Sequence, residues 1–227
     1  MLIYPTLKLS PLQGMAGMGG GVVSRALGAV PLPEIGDFYQ GGYVAGYIDQ
    51  SPGDYTATHG LIVAPKASGQ SFKKYKNSNN SGGGTSLYDG ASNTSGMDSS
   101  EYPAAQFCAG LTINGYSDWY MPARWELEIA YFNLKPSTAQ NSTNSQDSNI
   151  NPYAVPQRSA YTTGTPSQTS VSLFSGSSSE AFAEGFYWCS SRYSDTSAWR
   201  IGFNDGQAST SGKNNPEYVR AFRKFAV

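Results

Sequence analysis

The sequence predicts a domain that mixes short strands with two helices. Two observations carry this. From Phe186 to Phe225 the aromatic and aliphatic residues Tyr187, Trp188, Trp199, Ile201, Phe203, Val219 and Phe222 alternate with Ser, Thr, Asn, Asp and Arg, the period-2 signature of short strands joined by polar loops. Upstream, Ala104, Phe107, Cys108 and Leu111 recur at helical spacing, and Leu127, Tyr131 and Leu134 make a second such stripe.

The elements follow in chain order. Residues 1–33 hold no Asp or Glu and cannot bury a core of their own. They read as an extended attachment or oligomerisation arm, with a disordered leader as the alternative. Gly42–Asp49 and Gly60–Ala64 read as strands, joined through a Ser51-Pro52-Gly53-Asp54 turn. Residues 77–98 form a Ser/Asn/Gly-rich insertion in the same domain. The first helix is expected to be capped by Ser99 or Ser100, with Pro103 in its first turn. The second is expected to open at Pro122 and to carry an Arg124–Glu128 pair on its outer face. Residues 137–180 form a second polar insertion, longer than ordinary loops and therefore read as functional or partner-facing. The last strands are expected at Phe186–Ser190, Ala198–Phe203 and Glu217–Phe225, with Asn204-Asp205-Gly206-Gln207 as a hairpin turn.

Composition narrows the function classes. The 227 residues include 15 basic and 16 acidic side chains, a formal net charge of −1, so no basic face argues for nucleic acid. No apolar run approaches the roughly 20 residues of a membrane helix. The glycine-rich start lacks the compact apolar stretch of a secretion signal, and exit by assembly or lysis is expected. The two cysteines, Cys108 and Cys189, read as buried thiols; a bridge between them is left open. His59 is the single histidine, which leaves no zinc constellation and reads as structural rather than as a general base. Gly82-Gly83-Gly84 lacks the strand–loop–helix context and the lysine of a phosphate cradle. No catalytic constellation emerges, and the expectation is a binding protein, not an enzyme. Calcium is the metal to consider in such oxygen-rich loops, but a calcium site needs several carboxylates, and acids are thin here. Contact without a cofactor is the expectation.

Four segments together resemble one family. They are Gly115-Tyr-Ser-Asp118-Trp119-Tyr-Met-Pro122 with Glu126-Leu127, then Tyr187-Trp188-Cys189-Ser190-Ser191, Phe203-Asn-Asp205-Gly206-Gln207, and Tyr218-Val219-Arg220-Ala-Phe-Arg223. They resemble the C-type-lectin-like domain of phage tail fibre and receptor-binding proteins and of collagen-like bacterial adhesins. The resemblance implies an α+β fold over residues 34–227, with two helices packed on short twisted antiparallel strands and polar loops gathered on one face. It implies that Trp119 and Trp188 are core pillars and that Arg220 and Arg223 pair internally with Asp118 or Glu126. The C-terminal segment also resembles the variable region of phage tropism proteins diversified by retroelements. Tyr193, Asp195, Ser197, Arg200, Asn204, Asp205, Gln207, Asn214 and Asn215 would then form the ligand-binding surface, a Tyr/Ser/Asn composition suited to adaptable contact.

The functional expectation is a phage virion protein, such as a tail fibre or tail tip. It would be made in the host cytoplasm, anchored to other virion proteins by its arm, and bind a host surface glycan or protein as a homotrimer. A head or baseplate decoration protein and a bacterial surface adhesin are the alternatives.

Overall fold

The computed structural model describes residues 31–51, 53, 55–145 and 149–227. The chain divides into two units after Pro31; of the arm expected over residues 1–33, residues 1–30 lie outside the described residues.

The unit from Leu32 to Val227 is built mainly from strands. One sheet holds β1 (Phe38–Tyr39), β2 (Gly42–Ile48), β3 (His59–Val63) and β10 (Phe222–Ala226) in that order, with β5 (Ala154–Val155) paired to β2. The second sheet has the order β4 (Gln70–Lys74), β9 (Pro216–Arg220), β6 (Phe186–Arg192), β7 (Ser197–Gly202) and β8 (Ala208–Gly212). Pairing is antiparallel except between β6 and β9. The helices are short: α1 (Lys66–Gly69), α2 (Gly90–Ser95), α3 (Pro103–Ala109) and α4 (Arg124–Leu134), the longest at 11 residues.

This corrects the expected α+β, C-type-lectin-like arrangement. Among the described residues ten strands in two five-stranded sheets dominate, and the helices fill in around them. The reason is visible at three places. Gln70–Lys74 and Ala208–Gly212 are too polar to read as strands, yet they close the two edges of the second sheet by backbone pairing. The run expected to be one strand, Glu217–Phe225, breaks at Ala221. Its first half pairs with β4 and β6 and its second half with β3, so the chain crosses from one sheet to the other there. Both helices expected from the apolar stripes form, but α3 ends before Leu111 and α4 begins two residues after Pro122.

Capping differs as well. Tyr102, not Ser99 or Ser100, precedes α3, with Pro103 as its first residue. The Arg124–Glu128 surface pair does not form, because nearly every residue of α4 is buried. The Arg124 guanidinium stacks 4.2 Å from the Trp125 ring and 4.0 Å from the Trp199 ring. Glu128 accepts hydrogen bonds from Tyr161 Oη (2.6 Å) and Asn151 Nδ2 (2.5 Å) and meets Arg158 at 3.4 Å. A helix with polar groups on its hidden faces thus pins the 149–161 segment.

Strand β6 explains why the core lies on both faces of the second sheet. Tyr187 and Cys189 join Trp199, Ile201, Tyr131 and Phe222 on one side. Trp188, between them in sequence, joins Ala198, Val219, Tyr75 and Trp119 on the other. Successive side chains point to opposite faces, and both faces are dry. Helix α4 lies against β2 where Gly46 sits at φ 148°. A Cβ there would come within 2.5 Å of Ile129 and Asn133, and the Asn133 amide donates to the Ala45 carbonyl at 2.8 Å. The 137–180 stretch is no free excursion, since Ala154, Tyr161 and Phe174 belong to the core. The cysteines are buried free thiols in different clusters, and burial pushes both upward in pKa.

Candidate binding surface

The nine residues expected to bind ligand are not gathered on one surface. Ser197 pairs with Gly212 across β7 and β8, which brings the β6–β7 turn and the β8–β9 turn to one end of the second sheet. Tyr193, Asp195 and Ser197 therefore stand beside Asn214 and Asn215. Asn204, Asp205 and Gln207 lie in the β7–β8 loop, at the opposite end of a strand that spans roughly 20 Å. There the Asp205 carboxylate accepts its own loop's Gln207 amide at 3.0 Å. Arg200 belongs to neither group. It sits mid-strand, ion-paired with Glu217, donating to Ser209 Oγ at 3.2 Å and stacked 3.8 Å over Phe186.

The first group has the more open geometry. Tyr193 is 52% exposed and stands edge-on to Trp199 at 5.1 Å. Together with Asn144, Ala208, Ser209 and Thr210 they line a cleft of about 300 Å³, and among the described residues none of its walls carries a charged side chain. Trp199 is held from behind by the stacked Arg124. At the rim, Asp195 meets Arg192 at 3.6 Å, an exposed pair of little energetic weight. Ser194 Oγ and Ser197 Oγ lie 2.7 Å apart and close the turn. Asn214 and Asn215 are exposed at the neighbouring tip.

Sequence reading missed two groups here. Asn79 accepts the Asn214 amide at 3.0 Å and ties the 77–84 loop to the face. Lys213 is fully buried, and burial first, then the nearby Lys76 and Arg192 charges, lower its pKa to about 8. A lysine between Gly212 and Asn214 in a polar turn carries every sign of a solvated side chain, so no local signal marks it.

Charged pairs elsewhere hold the frame. Arg223 forms a bidentate pair with Asp118 at 2.7 and 2.9 Å, as the resemblance implied. Arg220 binds neither Asp118 nor Glu126 but Glu180. Glu126 is buried and accepts the Gly90 and Ala123 amides at 3.0 and 2.8 Å and the Tyr120 hydroxyl at 2.9 Å. Trp119 and Trp188 are core residues. His59 begins β3 with Nδ1 3.1 Å from Thr58 Oγ1; burial lowers its pKa.

Among the described residues no three of His, Cys, Asp and Glu gather as a metal cluster, and no helix is long and apolar enough to cross a membrane. Residues 76–223 match the Lcl C-terminal domain family. The chain belongs to that family. No curated protein matches it. An Lcl C-terminal domain points to a phage-tail or adhesin-like role in general. The matched span begins at Lys76, ends at Arg223, and contains every residue of the cleft and of the Tyr193–Asn215 turns.

Proposed function

We propose that this chain is a virion surface protein of the tail-fibre or tail-tip kind. Its domain contacts a host-surface glycan or protein through the β6–β7 and β8–β9 turns. One observation carries the reading: Tyr193, Asp195, Ser197, Asn214 and Asn215, distant in sequence, share one end of the second sheet beside an aromatic cleft whose described walls carry no charged side chain. A half-exposed Tyr gives stiff contact area, and Ser and Asn give adaptable hydrogen bonds. The reading is of a binding domain rather than a catalyst, anchored to the particle through its N-terminal segment. Display in several copies, for example as a trimer, would convert weak single contacts into firm adsorption.

The test uses intact particles carrying Y193A/N214A/N215A, with N204A/Q207A at the opposite end as the control. Adsorption to the host on which the particles grow is expected to fall at least tenfold for the first set and to hold for the second. Normal assembly with unchanged adsorption in the triple variant would overturn the reading and favour a decoration role.

A further inference from the structure

We propose that the Lys213 ammonium is the positioning group of this face, a side-chain cation caged by loop carbonyls that does the work a bound metal ion would do. The inference rests on the proposed function for what the loops serve, but its geometry stands apart from any ligand.

Lys213 Nζ donates to the carbonyls of Asn80 (3.2 Å), Gly82 (2.7 Å) and Asp195 (2.6 Å). An ammonium has three protons and no acceptor, so each proton has one carbonyl. The backbone of the same residue is also committed. Its N–H donates to Thr196 O at 3.1 Å, and its carbonyl accepts the Lys76 amide at 2.9 Å. One residue therefore joins the 77–84 loop, the β6–β7 turn and the β8–β9 turn.

Lys76 extends the arrangement. Its ammonium donates to Asn80 Oδ1 and to Ser81 O (2.6 Å) and lies 5.3 Å from the Tyr102 ring, while Lys213 Nζ lies 6.0 Å from Tyr75. The charged groups facing Lys213 are Lys76, Arg192 and Asp195. The Asp195 carboxylate turns to Arg192 and its carbonyl turns to Lys213, so the cage is one of dipoles. Three carbonyls around one cation is the coordination logic of an oxygen-ligand metal site, with the cation covalently attached. The carbonyl-bearing residues are only partly buried or exposed. Without the ammonium, the loops can turn their carbonyls to water, so the loss is local and spares the core.

The experiment is hydrogen exchange on the full chain as wild type, K213M and K213A. K213M keeps most of the stem and removes the donors. Protection of the backbone amides at positions 213 and 214 and of residues 193–197 is expected to fall about tenfold in both variants, since three carbonyls lose their partner, while β2, β3 and β10 keep theirs. In K213A, n-propylammonium replaces the missing three carbons and nitrogen and is expected to restore protection; n-propanol is not. Unchanged protection in K213M, or a uniform fall across both sheets, would overturn the proposal. Should the variants fail to fold, the wild-type Lys213 ammonium protons are read directly by NMR. Slow solvent exchange supports the cage, and exchange as fast as at the exposed Lys73 sinks it. None of these readouts needs a ligand, so they leave the adsorption result to judge the proposed function separately.

Discussion

Arg220 and Glu180 are joined across forty residues by a buried ion pair, Nη2 to Oε2 at 2.6 Å. The guanidinium also donates to Ala64 O at 2.9 Å and Glu180 O at 2.7 Å, and it lies 4.7 Å from the Phe182 ring. Glu180 in turn accepts the Lys66 amide at 2.7 Å. The pair therefore fastens the end of the 137–180 segment to the point where the chain crosses between sheets.

Removing one partner of such a pair strands the other. R220A is expected to destabilise the domain by about 3–5 kcal/mol, measured by denaturant unfolding. R220K is expected to recover little, because one ammonium cannot reproduce the planar fork that reaches three acceptors. A loss under about 1 kcal/mol, the scale of an exposed pair, would show that the segment is held by packing alone.

The Arg223–Asp118 pair is built alike but sits differently, with the Asp118 side chain 55% exposed. D118A is expected to cost about 1 kcal/mol or less. The Arg223 hydrogen bonds hold the Asp118 carboxyl below the usual carboxylate range. Its contribution is thus present above about pH 4 and lost as the pH falls through that lowered value. Acid unfolding of D118A should therefore start from lower stability at neutral pH and converge on wild type in acid.

Glu126 has the opposite sign. Burial raises it to about 7 despite its three donors. The folded state binds this proton more tightly than the unfolded chain, so the stabilisation it brings is full below about pH 4.5 and disappears as the pH rises through 7. E126Q, which mimics the protonated form, is expected to flatten that slope, by roughly 2–3 kcal/mol between pH 4.5 and 8. Thermal unfolding across that range checks it; parallel curves for wild type and E126Q would refute it.

Gly206 adopts φ 72°, and a Cβ there would lie 2.3 Å from Tyr131 Cε1. G206A is expected to cost at least about 2 kcal/mol, from left-handed strain together with overpacking. Equilibrium unfolding reads the cost, and a neutral result would mean that the β7–β8 loop relaxes freely.

Much of the frame was legible. The two apolar stripes did become helices, and Trp188, Trp199, Phe203 and Val219 are core. Edge strands β4 and β8 were not, because their pairing is a backbone property that Ser, Thr and Lys side chains do not announce. The candidate face was half legible. Tyr193, Asp195, Ser197, Asn214 and Asn215 do converge, but Arg200, a polar residue between Trp199 and Ile201, is consumed by Glu217, Ser209 and Phe186.

By itself, the sequence determined which residues are anchors and which segments turn. Alternation and glycine placement are local, and short-range sterics enforce them. Only the tertiary structure decided that the run after Pro216 splits between two sheets, that Arg220 finds Glu180 rather than Glu126, and that Lys213 is wholly inside. Each of these depends on which distant segment arrives at a given backbone group. A buried charge is tolerated only where such an arrival supplies its partners.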